Sequence, residues 1–341
     1  MVNLSYSLLK RLVEAPAPSG FEDRVREIVL ETVFSIGFEA EVDNIGNIYV
    51  KVGSGHPTVL IAAHMDEVGF MVKGITSRGF LKVVSLGGIN PSTAIGSEVI
   101  VMGDKGDLAG IVGSIPPHIA GREGREVRIE DLFIDIGASS AEEAEEMGVR
   151  KGISITFAGR FYETNKILIG KAFDDRLGCF ALLEALKMSN SPERGTVYVV
   201  FTVQEEVGTR GAAAAALKVK PDYGIAVEGT LATDTPGIPE EDWVTELGKG
   251  PAIRVTDATL VANKRLISHV VKLAEDAGIR VQYQLSPRSG TDAGRFSLTG
   301  AASTAVSIPT RYVHSPVALA LKEDVESTAR LLSLLIEHPF P

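Results

Sequence analysis

The sequence predicts an α/β protein, a mixed sheet flanked by helices, interrupted by a small β-rich insertion. Three observations carry this prediction. Valine-rich and alanine-rich apolar runs such as Thr58–Ala63 and Thr196–Val203 alternate with helical stretches towards both ends of the chain. Between Gly69 and about Gly159 the texture changes to short β runs separated by glycines and turns. After Tyr162 the α/β rhythm returns and continues to the C-terminus.

Element by element, the chain opens with a helix that breaks at Ala15-Pro-Ala-Pro-Ser-Gly20, and a second helix runs from Phe21 to about Gly37. Extended pieces follow at Phe38–Val42 and Gly46–Val52, then the apolar strand Thr58–Ala63, which ends on His64. In the insertion, strands are expected at Phe70–Ile75, Phe80–Ser85, Glu98–Met102, Leu108–Ile115, Leu132–Ile136 and Ile153–Phe157. Only Ser140–Met147 reads as helix there, so the insertion is expected to be a small barrel or sandwich. Helix 174–189 then precedes strand 196–203, helix 209–217 and strand Tyr223–Val227. Helix 263–277, strand Arg280–Leu285, helix 292–298, strand Ser303–Ile308 and helix 321–337 complete the chain. Residues 1–68 and 163–341 are thus expected to form one discontinuous domain around an insert at 69–162.

With 341 residues and 45% hydrophobic content the chain can bury a sizeable core. A net charge of -10 and a pI near 5.2 argue against nucleic acid or an anionic membrane as partner. The first ten residues do not read as a signal peptide, and no apolar run is long enough to span a membrane. Cys179 is the only cysteine, which excludes an intrachain disulfide and suits a reducing cytoplasm. It sits in the apolar stretch Leu177–Leu183 and reads as packing rather than as a nucleophile.

Chemistry is suggested where apolar runs end. Glu205 and Glu206 follow Val203, His64-Met-Asp66 follows Ala63, and Glu228 follows Val227. Asp174-Asp175 opens a helix after Gly170–Phe173, and His314 lies in Arg311–Pro316. Carboxyl ends of strands are where open α/β sheets place ligands. Two histidines with several carboxylates and no thiolate suit Zn²⁺, Co²⁺ or Mn²⁺. The number of acids favours two ions, since one carboxylate can bridge a pair about 3.5–4 Å apart. Successive strand residues point in opposite directions, so Glu205 and Glu206 are expected to divide metal binding and proton transfer. At strand spacing Asp66 lies on the same side as His64, where it can orient the imidazole. His56, His118, His269 and His338 lie in turns, mid-helix or near the terminus and are assigned no chemistry. Asp175 and Asp292 read as helix caps, and Arg288 and Arg295 as partners for an acidic side chain or as solvated cations.

Taken together, Pro18-Ser-Gly-Phe-Glu22, His64-Met-Asp-Glu-Val-Gly69, Asp174-Asp-Arg-Leu-Gly-Cys179, Gln204-Glu-Glu-Val-Gly208, Ser289-Gly-Thr-Asp-Ala293 and Val313-His-Ser-Pro316 resemble the dimetal aminopeptidases that assemble into tetrahedral particles. That family includes glutamyl and deblocking aminopeptidases, and the likeness covers essentially the whole chain. It implies a dimetal aminopeptidase-like catalytic domain with an inserted, barrel-like dimerisation domain, and a dodecamer acting on short peptides. By position it implies Asp174 as the bridging ligand, His64 and Glu228 at one ion, and Glu206 and His314 at the other. It implies Glu205 as general base and Asp66 as the partner of His64, with Gly290 and Thr291 on a loop near the substrate. Glu228 departs from the family, where aspartate is usual, and its side chain is one methylene longer.

Other classes remain to be weighed. Retaining glycosidases need carboxyl groups about 5–5.5 Å apart across one sugar bond, and the histidines would then have no task. Metal-dependent deacylases and carboxypeptidases share the metal site but not the insertion. A non-catalytic assembly scaffold would explain the insertion and leave five ligand positions without purpose.

Overall fold

The apolar runs build one large sheet, covered by helices on both faces. A computed structural model of the protein describes residues 4–115 and 126–340; His118 lies outside them. Helices α1 (Ser7–Glu14) and α2 (Asp23–Ser35) lead to strands β1 (Glu41–Val42), β2 (Ile48–Ser54) and β3 (Thr58–His64). Strands β4 (Gly69–Ile75), β5 (Leu81–Leu86), β6 (Glu98–Gly103), β7 (Gly106–Ser114), β8 (Leu132–Asp135) and β9 (Ser154–Phe157) follow, with short helices α3 (Pro91–Ala94) and α4 (Ala141–Glu146). After β10 (Tyr162–Glu163) and β11 (Ile167–Gly170) come α5 (Phe173–Met188), β12 (Gly195–Thr202), α6 (Arg210–Val219) and β13 (Tyr223–Leu231). The chain ends with β14 (Ala252–Asp257), α7 (Lys264–Asp276), β15 (Gln282–Ser286), α8 (Asp292–Ser297), β16 (Ala302–Arg311), β17 (Ala318–Leu321) and α9 (Lys322–Glu337).

The sheet has eleven strands, in the order β1-β2-β12-β3-β13-β16-β17-β11-β10, with β14 joining β16 to β15. Its centre, β12-β3-β13-β16, is parallel, and the flanking pairs are antiparallel except β14–β15. Alternation explains how one strand serves two cores. Val59, Ile61 and Ala63 pack with α1, α2, α5 and α9 on one face. Leu60 and Ala62 face the alanines of α6 and Phe296 of α8 on the other.

Strands β4 to β9 close on themselves as a six-stranded antiparallel barrel, in the order β4-β5-β8-β7-β6-β9. Closure leaves no free strand edge. The barrel has its own core, in which Phe70 and Phe157 meet edge to face at 5.7 Å. Gly113 is needed in β7, because a Cβ there would lie 2.4 Å from the Phe133 ring.

The expectation of a barrel or sandwich thus resolves to a barrel. Three details differ from expectation. Strand β13 runs on to Leu231 because β16 pairs with it as far as Thr310, so Glu228 lies inside the strand. Strands β10, β11, β14 and β17 are additional to those expected, and α3 adds a short helix in the barrel segment. No helix among the described residues is long and apolar enough to cross a membrane.

Barrel and sheet meet at a buried charge cluster. Glu67, just before β4, is 2% exposed. It accepts from Lys171 Nζ at 2.5 and 2.6 Å, from Arg176 Nη2 at 3.2 Å and from the Ala17 N–H at 2.9 Å. Lys171 also donates to Thr156 Oγ1 in β9 at 3.3 Å. Burial lowers the Lys171 ammonium to about 8, against the pull of Glu67. Removing one member of such a cluster leaves buried charge uncompensated. Glu67→Ala is therefore expected to cost about 3–5 kcal/mol, read as a lowered urea midpoint. A loss under about 1 kcal/mol would show that the cluster does not hold the junction.

Candidate metal centre

The parallel strands deliver their carboxyl ends to one place. His64 ends β3, paired in register with Thr202 at the end of β12, and is 3% exposed. Asp174 and Asp175 stand at the start of α5 with non-helical backbone angles, so the regular helix begins after them. Asp174 Oδ1 lies 3.1 Å from His64 Nε2, and its Oδ2 lies 3.5 Å from His314 Nε2. One carboxylate therefore faces two imidazoles. Glu206 Oε2 is 3.2 Å from His314 Nε2. His64, Asp174 and Glu206 offer ligand atoms all within 4.8 Å of one another.

Asp66 is fully buried and ties these pieces together. Its Oδ1 lies 3.4 Å from His64 Nδ1, and its Oδ2 accepts from Ser19 Oγ at 2.6 Å. The N–H groups of Glu205 and Glu206 donate to Oδ1 and Oδ2 at 2.9 and 3.1 Å. Strand β12 has ended by then, and Gln204 adopts a left-handed φ of 56°. The two glutamates diverge through this turn rather than by strand alternation. Glu205 Oε2 comes within 4.0 Å of His64 Nε2, while Glu206 approaches His314.

Asp175 acts on the main chain. It accepts from the His64 N–H at 3.0 Å, the Gly178 N–H at 2.9 Å and the Gly229 N–H at 3.0 Å. It is thus a helix cap that also joins β3 to β13. Gly229 permits this approach, since a Cβ there would lie 2.6 Å from the Phe173 carbonyl oxygen. Cys179 is buried with its thiol towards the His64 carbonyl oxygen at 3.1 Å, as packing requires.

Crowded acids set the electrostatics. Burial pushes Glu205 well above the ordinary carboxylate range; His64 opposes this, and Asp292, Glu206 and Asp174 add to it. Burial likewise raises Glu206 against His314. Burial also works to raise Asp174, but hydrogen bonds with His314 and His64 hold it below its usual value. His314 is pushed up to about 11, against burial, by Glu206 and Asp174. Glu206 Oε1 is buried with no hydrogen-bond partner among the described residues. An excess of buried carboxylates, an orphaned acceptor and an N/O donor set together fit a divalent cation.

Glu228 has a different neighbour. Its Oε1 accepts from Arg254 Nη2 and lies 3.5 Å from Ser307 Oγ, and burial raises it to about 7 against that guanidinium. Arg254 in β14 is 1% exposed and also donates to Asp257 Oδ2 at 3.0 Å and Ser289 Oγ at 3.2 Å. Glu228 stands outside the His64–Asp174–Glu206 ligand cluster. Arg254 escaped the sequence reading; a lone basic residue in an apolar strand with an acid three residues on was its only signal.

The remaining candidates sit as follows. Thr291 Oγ1 caps α8 by accepting from the Ala293 N–H at 3.1 Å, and Gly290 faces Thr259. Asp292 accepts from Thr202 Oγ1 at 2.7 Å, keeps Oδ1 buried without a partner among the described residues, and is raised by burial to about 6. Arg295 braces Thr209 Oγ1 and the Gly208 carbonyl oxygen, and Arg288 is exposed. His269 Nε2 contacts the His338 carbonyl oxygen at 2.7 Å, and His56 is exposed.

A family model described as M42 glutamyl aminopeptidase matches residues 46–331. The lysyl aminopeptidase of Pyrococcus furiosus is 36% identical over 348 residues, covering 99% of this chain and 98% of its own. A TET aminopeptidase from a marine-sediment Thaumarchaeota archaeon superposes with a TM-score of 0.92 at 39% identity, covering 97% of this chain and 95% of that one. The TET1 peptidase of Pyrococcus horikoshii, which can assemble into a tetrahedron or a large octahedral shell, gives 0.88 at 36% identity, with 97% and 98% covered. With the family model spanning most of its length, and relatives above 30% identity over nearly all of it, the chain belongs to the M42 glutamyl aminopeptidase family.

Proposed function

We propose that the chain is a metal-dependent aminopeptidase that removes N-terminal residues from short peptides, with Glu205 as general base. The observation that carries this is Asp174, whose two carboxylate oxygens face His64 and His314 at 3.1 and 3.5 Å. Asp174 would bridge two divalent ions, Zn²⁺ or Co²⁺ and in third place Mn²⁺. His64 and Glu228 would complete one position, and Glu206 and His314 the other. Such ions supply Lewis acidity towards the scissile carbonyl and lower the pKa of the attacking water.

The chain's own residues do the rest. Glu205, buried and raised in proton affinity, takes the proton from the attacking water and passes it to the leaving amine. Asp66 orients the His64 imidazole and fixes the turn that carries both glutamates. The substrate's free α-amino group would be held by a carboxylate of the cluster or by one of the ions, which limits cleavage to the first residue. Gly290 and Thr291 are proposed to lie on a loop near the substrate.

Glu205→Gln is expected to lower kcat about 100-fold or more on aminoacyl arylamides while metal content is kept. Substantial residual activity would remove Glu205 from the role. Cleavage of N-acylated substrates in preference to free aminoacyl ones would assign the site to a deacylase.

Because Glu228 is shared with Arg254, the two ions are expected to bind unequally. Calorimetric titration of the metal-free protein should show two steps separated by about tenfold or more. A single step for both ions would argue against this.

Residues 1–68 and 163–341 are proposed as the catalytic domain, and 69–162 as a dimerisation domain within a tetrahedral dodecamer. Exposed Val84, Ile95 and Ile111 on the barrel support a contact there, as does kinship with a peptidase that assembles into a tetrahedron. The one cysteine, buried and unpaired, fits a cytoplasmic setting. Light scattering is expected to report a dodecamer of the 36.3 kDa chain, and a monomer would refute the assembly.

A further inference from the structure

The Pro18–Glu22 segment has no chemistry in the function above, yet it packs against the turn that carries Glu205. Glu22 is 3% exposed, and its Oε1 accepts from the Gly20 N–H at 2.7 Å and from the Gln204 N–H at 3.1 Å. Among the described residues, its one side-chain hydrogen bond outside its own loop is this bond to Gln204. Gln204 holds a φ of 56°, in the left-handed region that residues with a Cβ seldom adopt. The next two N–H groups, of Glu205 and Glu206, donate to Asp66, which in turn accepts from Ser19 Oγ. Three consecutive amides of the turn therefore end on two buried carboxylates, one from this loop and one braced by it. The loop has other anchors, since the Ser19 N–H donates to the Glu67 carbonyl oxygen and the Phe21 N–H to that of Pro18. Its fold does not depend on the Gln204 bond.

We propose that Glu22 is a positioning residue whose carboxylate holds Gln204 in its left-handed conformation and thereby aims the Glu205 side chain. This rests on Glu205 acting as the base. Asp66 fixes the two amides after Gln204. The peptide before Gln204 is held at its carbonyl by the Gly211 N–H at 3.0 Å and at its N–H by Glu22, the one side chain among the described residues that grips it. Without the Glu22 acceptor, the Gln204 N–H would be left unpaired at a strained residue, and the turn would relax. A shift of about 1 Å in a catalytic group is enough to cost about 100-fold in rate.

Glu22→Ala and Glu22→Gln, made in the full chain and loaded with Zn²⁺, test this on an aminoacyl arylamide. Metal content, melting temperature and hydrogen exchange of residues 203–208 are read alongside. E22A is expected to lose about 10- to 100-fold in kcat, with KM within about twofold, metal kept, melting temperature lowered by no more than a few degrees, and faster exchange at the turn. E22Q keeps an acceptor oxygen and is expected to return kcat to within about threefold of the parent. Normal kcat in E22A would overturn the proposal. So would failure to fold, loss of metal or melting temperature in step with kcat, or an E22Q as weak as E22A. A parent enzyme that cleaves nothing defeats the aminopeptidase reading alone. The exchange data then decide the Glu22 link, and unchanged exchange in E22A overturns it.

Discussion

Asp66 is a fully buried carboxylate whose donors come from three separate parts of the chain. An unpartnered buried charge is among the costliest things a fold can contain. Here Ser19 Oγ, the amides of Glu205 and Glu206 and the edge of His64 all converge on it. Burial would raise its proton affinity, but His64 and the other donors hold it below the usual carboxylate range. The same contacts that keep Asp66 charged fix the end of β3, the turn after β12 and the loop before α2. A substitution there would disturb the orientation of His64 and the placement of Glu205 together.

A second buried acid works beneath it in the same way. Asp175 gathers main-chain amides from β3, from the first turn of α5 and from β13. Neither acid belongs to the His64–Asp174–Glu206 cluster, and each adds rigidity by holding backbone amides, which cannot change rotamer. Strain collects beside them: Gln204, Tyr312 and His314 all have positive φ. Such conformations persist only where surrounding contacts over-determine them, and they gather at functional sites. The arrangement is pre-organised by the main chain more than by side-chain packing.

Much of this was legible in the sequence, for reasons of periodicity. Helices α5, α7 and α9 fall within a residue or two of their expected limits, because their apolar spacing is regular. His64, Asp174, Glu205, Glu206 and His314 stood out because each follows or approaches an apolar run, and the fold brings them together. What could not be read is long-range pairing. Glu67 meets Lys171 and Arg176 across more than a hundred positions, and nothing local announces it. Strand β14 was hidden because Arg254 and Asp257 break its apolar pattern; they are buried because they pair with each other and because Arg254 also reaches Glu228 on β13. The separation of Glu205 from Glu206 was anticipated for the wrong reason: a left-handed turn does what strand alternation was expected to do.

The extra methylene at Glu228 becomes intelligible once Arg254 is placed. Five acids, Asp174, Glu205, Glu206, Glu228 and Asp292, crowd around two imidazoles, and burial with mutual repulsion raises the proton affinity of all but Asp174. On the β13 side the chain supplies its own cation, a guanidinium anchored between Glu228 and Asp257. A planar fork held by two carboxylates is well suited to burial, and the longer glutamate arm meets it inside the strand layer. On the His314 side no donor among the described residues reaches Glu206 Oε1. Glu228 is thus partnered from within by a fixed guanidinium, whereas Glu206 shares His314 with Asp174 and keeps one oxygen unpartnered, so the free acceptor of the cluster lies on that flank.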